Sequence, residues 1–158
     1  MQTAIRPLGP GDVEAVVRLS LQAWAPVFDS LAHAMGPRLF GRLHPDWRSE
    51  QESDVRAACA TKTVWVAEVG SDVVGFVAVE LRRASSEGEI HMLAVDPDHQ
   101  GKGIGTGLTS FAIERIRDAG MTLAIVETGG DPGHAPARRT YEKAGFTVLP
   151  IARYFLPL

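Results

Sequence analysis

Four glycines fall at alternate positions, 101, 103, 105 and 107, between an apolar run and a helical pattern. The run before them, Glu89 to Val95, mixes Ile, Met, Leu and Val and is too short for a helix, so it reads as a strand. Asp96-Pro97 ends that strand, because proline has no N–H and restricts the residue before it. From Ile104 the apolar spacing changes: Ile104, Leu108, Phe111 and Ala112 share one helical face, with Ile116 at its edge. A strand, a glycine loop and a helix N-terminus aim free backbone N–H groups and a helix dipole at an anion, typically a phosphate. Backbone amides approach a pyrophosphate closely only where no Cβ obstructs them, and a plain tight turn would use one or two glycines rather than four.

Two common phosphate loops do not fit. A dinucleotide fingerprint needs G-x-G-x-x-G, but counting from Gly101 puts Thr106 third, and counting from Gly103 puts Leu108 there. A P-loop needs Gly-Lys followed by Ser or Thr, and Lys102 is followed by Gly103. What remains is Gln100-x-x-Gly103-x-Gly105, with a second stretch, Ala137-Arg138-Arg139-Thr140-Tyr141-Glu142-Lys143-Ala144-Gly145-Phe146, further on. The first resembles the acetyl-CoA pyrophosphate loop of the GNAT superfamily of N-acetyltransferases. The second is similar to that family's Asn-x-x-Ala-x-x-x-Tyr-Glu-Lys-x-Gly-Phe motif, matching from Ala137 to Phe146.

The resemblance implies a set of roles. Backbone amides of Gln100, Gly101, Lys102, Gly103, Ile104, Gly105 and Thr106 would hold the pyrophosphate of acetyl-CoA, with Lys102 facing either solvent or the nucleotide's 3′-phosphate. The backbone of Leu93, Ala94 and Val95 would bond the pantetheine arm and polarise the thioester carbonyl. Ala137 and Tyr141 would meet the arm from the last helix, and the Tyr141 hydroxyl would protonate the leaving thiolate, whose thiol has a pKa near 8.5. His134 stands where the family usually carries an asparagine whose amide bonds the pantetheine. Glu-Ile-His-Met-Leu-Ala-Val from Glu89 resembles the strand of the histone-acetylating branch, whose first glutamate deprotonates the amine. A substrate ammonium near pKa 10 must lose a proton before it attacks, so a base is needed. Simple alternation puts Glu89, His91, Leu93 and Val95 on one face and Ile90, Met92 and Ala94 on the other. His91 is therefore a rival base on the face of Glu89. Glu127 is a second acid or an anchor for the ammonium. Cys59, among Ala57, Ala58 and Ala60, reads as a small buried helix residue rather than an acyl-carrying nucleophile.

These residues need a scaffold. Gln2 to Leu8 alternates weakly and reads as a first strand ending at Pro7, and Pro10-Gly11-Asp12 as a turn into a helix that Pro26 interrupts. An irregular helical segment from Phe28 to Leu43 follows, then a helix capped by Ser49 and Glu52 and running to about Cys59. Thr63 to Val69 and Val73 to Leu81 form a valine-rich hairpin, and with the Glu89 strand an antiparallel meander. A helix from about Gly103 to Ala119, a strand from Met121 to Glu127 and a helix from Ala135 to Ala144 come next. Phe146 to Leu149 and Ile151 to Leu156 read as last short strands, split by Pro150. This order also looks like the N-acetyltransferase fold: an α/β (α+β) architecture with a mixed, mostly antiparallel twisted sheet of about seven strands flanked by helices. Trp24, Phe28, Phe40, Trp47, His33 and His44 fall in the segment that walls the acceptor site in that family and suggest a π-rich pocket.

At 158 residues the chain reads as one domain over 1–158, large enough for a proper core. Sixteen basic against nineteen acidic residues give a net charge of −3, which excludes a broadly basic nucleic-acid surface. No apolar run reaches membrane-spanning length, no signal-peptide pattern is present, and a single cysteine suits a reducing cytoplasm. The expectation is direct acetyl transfer from acetyl-CoA to a primary amine of a small molecule through a ternary complex, with no metal. The alternatives are a protein lysine or N-terminal acetyltransferase, or a non-catalytic acetyl-CoA sensor. A homodimer is compatible with either.

Overall fold

The computed structural model describes residues 2–158. Its sheet has five strands in spatial order β1 (Thr3–Pro7), β2 (Thr63–Val69), β3 (Asp72–Arg82), β4 (Glu87–Val95) and β5 (Leu123–Val126). The first four are antiparallel neighbours, and β5 lies parallel to β4 at the edge. The valine-rich hairpin forms as its composition demands, with Gly70 at φ +64° in the turn between β2 and β3.

The described residues hold five helices, of which α1, α3 and α4 pack on the sheet: α1 (Val13–Met35), α2 (Pro37–Leu43), α3 (Trp47–Thr61), α4 (Ile104–Asp118) and α5 (Ala135–Lys143). Val16 and Leu19 of α1, with Val55 and Ala58 of α3, bury one face over Val64, Val66, Phe76, Ala78 and Ala94. Ile104, Leu108, Ala112 and Ile116 of α4 bury the other face over Ala67, Val77, Val79, Ile90 and Val95. Those four α4 residues recur every four positions, the stripe expected of a helix that covers a sheet. Gly88 permits the close approach, since a Cβ there would lie 2.5 Å from Ile116 Cγ2.

Several elements differ from the expectations. α1 runs straight past Pro26, which costs only the N–H bond to the Gln22 carbonyl, and the chain breaks instead at Gly36-Pro37. α3 begins at Trp47, because the Asp46 side chain accepts from the Ser49 N–H and caps it there. Residues 146–149 and 151–156, expected as strands, carry no sheet pairing, so the sheet has five strands rather than about seven. β-prone composition becomes a strand only when it pairs with a partner edge, and this segment pairs with none, leaving Val148, Leu149, Ile151 and Tyr154 exposed.

Alternation along β4 is broken at His91. Ala78 pairs with Met92 and Val79 with Ile90, so His91 is the extra residue of a β-bulge. Ile90 and Val95 pack towards α4, while Met92 and Ala94 pack towards α1 and α3. Glu89 therefore shares the face of Met92 and Ala94 and lies opposite Leu93 and Val95, contrary to simple alternation.

Candidate functional site

The same bulge marks the place where the sheet opens. Pairing of β4 with β5 ends at Ile90 and Val126, yet β4 continues to Val95, so its far half has an open edge. A cavity of about 700 Å³ fills the wedge. Its walls are β4 from Ile90 to Val95, the glycine loop with the first turn of α4, and Val126 to Thr128 after β5. Pro136 to Tyr141 of α5 (Arg138 excepted) and Trp24, Pro26 and Val27 of α1 close it. This volume suits a ligand of cofactor size.

One end of the cavity is built for an anion. Gly101 and Gly103 hold φ of +74° and +83°, which side-chain-bearing residues rarely adopt. The first helical bond of α4 runs from the Gly107 N–H to the Gly103 carbonyl at 2.9 Å. The N–H groups of Ile104, Gly105 and Thr106 therefore point out of the helix with its positive dipole end behind them. Gln100 braces this loop: its Nε2 donates to the Val95 carbonyl at 3.0 Å, tying the loop to the end of β4. Lys102 turns away, with Nζ donating to the Asp98 carbonyl at 3.2 Å, and does not line the cavity. Arg139 and Lys143, one turn apart on α5, do line it and supply cations that the sequence reading passed over. Their i, i+4 spacing on a short helix was the available signal.

Tyr141 enters the same cavity from α5. Phe146 packs edge-on against its ring at 6.0 Å, and the Phe146 N–H donates to the Tyr141 carbonyl. Burial pushes the phenol above its ordinary value, so the hydroxyl keeps its proton and can give it away. His91 lies on the wall at the bulge. Glu89 lies off the wall, and the Arg82 guanidinium donates to its Oε2 at 2.6 Å. That pair belongs to a surface network in which Lys62 holds Glu80 at 3.0 Å, and the carboxylates push Arg82 upward. Glu127 lines the cavity. Cys59 packs against the core beneath α3 away from it, and burial pushes its thiol up, further from the thiolate a nucleophile needs.

A family model described as the Acetyltransferase (GNAT) family matches residues 28–146. The chain belongs to the GNAT family. It is 34% identical over 152 residues to the mycothiol acetyltransferase of Sanguibacter keddieii, covering 89% of this chain and 45% of the relative. The chain thus spans under half the length of that relative. Among solved structures, the ribosomal-protein-S18-alanine N-acetyltransferase of Escherichia coli superposes with a TM-score of 0.72 at 20% identity, covering 99% and 85% of the two chains. The PaiA N-acetyltransferase of Thermoplasma acidophilum, solved with coenzyme A, gives 0.70 at 17% identity over 96% and 94%. At such identities the likeness is one of fold.

Within this GNAT fold most of the proposed cofactor positions meet on one cavity wall: Leu93, Ala94, Val95, Gln100, Gly101, Gly103, Ile104, Gly105, Thr106, His134, Ala137 and Tyr141. Lys102 and Glu89 stand outside it. Of the aromatic group, Trp24 alone lines the wall, edge-on to Phe76 at 6.4 Å. Phe28 stacks on Trp47 at 4.5 Å, and His44 meets both Phe28 and Phe40, so these rings fasten α1, α2 and α3 together instead of lining a pocket. His33 is exposed on α1. His134 does not stand alone: Asp131, which the sequence reading did not single out, bonds its Nδ1, and Ser30 of α1 bonds Asp131. The spacing Asp131-Pro132-Gly133-His134 was the readable trace of that pair.

Proposed function

We propose that this chain transfers the acetyl group of acetyl-CoA directly to a primary amine of a small molecule. The observation that carries the reading is the wedge itself, which joins an anion-binding helix N-terminus to an open strand edge and ends at a partly buried tyrosine held in its protonated form. The residues present fit acetyl-CoA. The N–H groups at the start of α4 receive the pyrophosphate, Arg139 and Lys143 offset the remaining phosphate charge, and the open edge of β4 from Leu93 to Val95 meets the amide groups of the arm. In the transfer, the amine nitrogen bonds the thioester carbon and the carbon–sulfur bond breaks. His91 takes the proton released by the amine, and the Tyr141 hydroxyl gives its own to the leaving sulfur. His91 is favoured over Glu89 as base because it lies on the wall, whereas Glu89 is held by Arg82. Glu127, which also lines the cavity, bonds the incoming ammonium in this reading.

A small-molecule acceptor is supported by the sequence relative, whose name gives mycothiol as its concern. The decisive measurement is thiol release from acetyl-CoA across a panel of primary amines and peptides. Amine-dependent release with small amines supports the reading, and release with peptides alone transfers it to protein substrates. Tight acetyl-CoA binding with no release above hydrolysis would leave a sensor and sink the enzyme.

A further inference from the structure

The loop between β5 and α5 is folded around one carboxylate. Asp131 Oδ1 pairs with His134 Nδ1, while Oδ2 accepts from the Ser30 hydroxyl at 2.7 Å and from the Gly133 N–H at 3.1 Å. Ser30 Oγ accepts in turn from the Gly133 N–H at 2.9 Å, which ties the loop to α1. Arg138 Nη1 donates to the carbonyls of Gly129 and Asp131 at 2.6 and 2.8 Å, clasping the loop from α5. The two glycines are there for space. A Cβ at Gly129 would run into Asp131 and His134, and one at Gly133 would lie 2.6 Å from Ser30 Cβ. The Asp131 side chain is only 8% exposed, and its hydrogen bonds to Ser30 and His134 hold the carboxyl below the usual carboxylate range despite burial.

An ionised carboxylate accepts hydrogen bonds and donates none. The ring nitrogen facing Asp131 must therefore carry the hydrogen, and Nε2 of neutral His134 is left with a lone pair. His134 lines the cavity, and Nε2 has no hydrogen-bond partner among the described residues. We propose that Asp131 is a positioning residue that sets the tautomer of His134, so that Nε2 accepts an N–H of the bound substrates. That N–H belongs either to the pantetheine arm of the acyl donor or to the acceptor amine. This inference rests on the acetyl-transfer reading for the identity of those substrates, while the tautomer itself is a property of the free protein.

Asp131→Asn is the informative variant. The Gly133 N–H fixes a donor on the Oδ2 side, so the new amide turns its oxygen there and presents NH₂ to His134 Nδ1. The hydrogen is then forced onto Nε2, turning the acceptor into a donor at almost unchanged shape. Long-range ¹H–¹⁵N spectra of the imidazoles, with His134 assigned by its loss in His134→Gln, read this directly. On the neutral limb of the titration the wild type should show the hydrogen on Nδ1, and Asp131→Asn should show it on Nε2. Thermal unfolding checks that the variant is folded.

Functionally, Asp131→Asn should weaken the affected substrate roughly ten- to hundredfold, the size expected when a buried acceptor loses its partner. A fall in acetyl-CoA affinity, measured without any amine, places the N–H on the acyl donor. A fall confined to the amine KM places it on the acceptor. In a His134→Gln background, where the amide oxygen stands in for Nε2, Asp131→Asn should add less than about twofold, because it acts through the ring. A wild-type Nε2–H tautomer, unchanged affinity for both substrates in Asp131→Asn, or the same cost in both backgrounds would each overturn the proposal. The spectra and the acetyl-CoA titration need no turnover, so they stand apart from any failure to find an acetylated amine.

Discussion

The proposed transfer gives the Tyr141 hydroxyl and the His91 ring opposite proton tasks, and their surroundings differ accordingly. Tyr141 is partly buried and desolvated, which favours its neutral form, while His91 is exposed on a bulge where water reaches it. Tyr141→Phe removes only the hydroxyl, so kcat should fall by roughly 10²–10⁴, with acetyl-CoA affinity nearly kept. Because the folded pKa of Tyr141 is raised, the acid form persists above the ordinary tyrosine value of about 10, and wild-type kcat should show no tyrosine limb below that pH. For the base, kcat/KM against pH separates the candidates. His91→Gln should abolish the low-pH limb, with the loss shrinking as pH rises and free amine accumulates by itself. Glu89→Gln should leave that limb in place and disturb only the contact with Arg82. The opposite pattern would return the role to Glu89.

The elements decide where these residues can stand, and here sequence and structure part in an instructive way. The glycine loop and α4 were readable because proline, glycine and a four-residue apolar stripe each act locally, whatever the rest of the chain does. The bulge at His91 was not. It depends on which residue of β3 faces which residue of β4, a fact about two strands that neither one encodes alone. Missing it put Glu89 on the same face as Leu93 and Val95. Pro26 misled for a related reason, since a long helix anchored on the core at Val16, Val17 and Leu19 absorbs one lost hydrogen bond that an isolated pattern could not. The Asp131 pair escaped because its meaning comes from Ser30, 101 residues earlier. The loop itself yields a sharp test. Gly105 has an ordinary φ, and a Cβ there would meet only Val95 Cγ2 at an unstrained 3.7 Å, so Gly105→Glu should fold. Its carboxylate would face the open N–H groups where the pyrophosphate belongs. Calorimetry should find acetyl-CoA binding weakened at least tenfold, and full affinity in the folded variant would remove the loop from the site.

At the scale of the whole molecule, two packed faces meet a wedge at one end of the sheet, and the chain's last segment stays outside both. Among the described residues, seven of the eight large apolar residues that are most exposed, from Val148 to Leu158, lie in that segment, while Phe146 just before it packs on Tyr141. Residue 146 supports the candidate acid, whereas the two cores and the cavity wall are built from residues before 150. An extended backbone without sheet bonds is open to a protease, whereas the paired strands beside it are not. Brief chymotrypsin treatment should cut first after Tyr154 or Phe155, since Pro157 blocks the bond after Leu156, and leave the rest intact. A chain ending at Leu149 should then unfold as cooperatively as the full chain, keep acetyl-CoA affinity within about twofold, and aggregate less, because an unpartnered apolar patch is gone. Loss of acetyl-CoA binding on truncation would mean that the segment closes on the cavity in solution. Protection of Tyr154 and Phe155 from cleavage in the full chain would mean that it pairs with an edge, for which β5 is the exposed candidate.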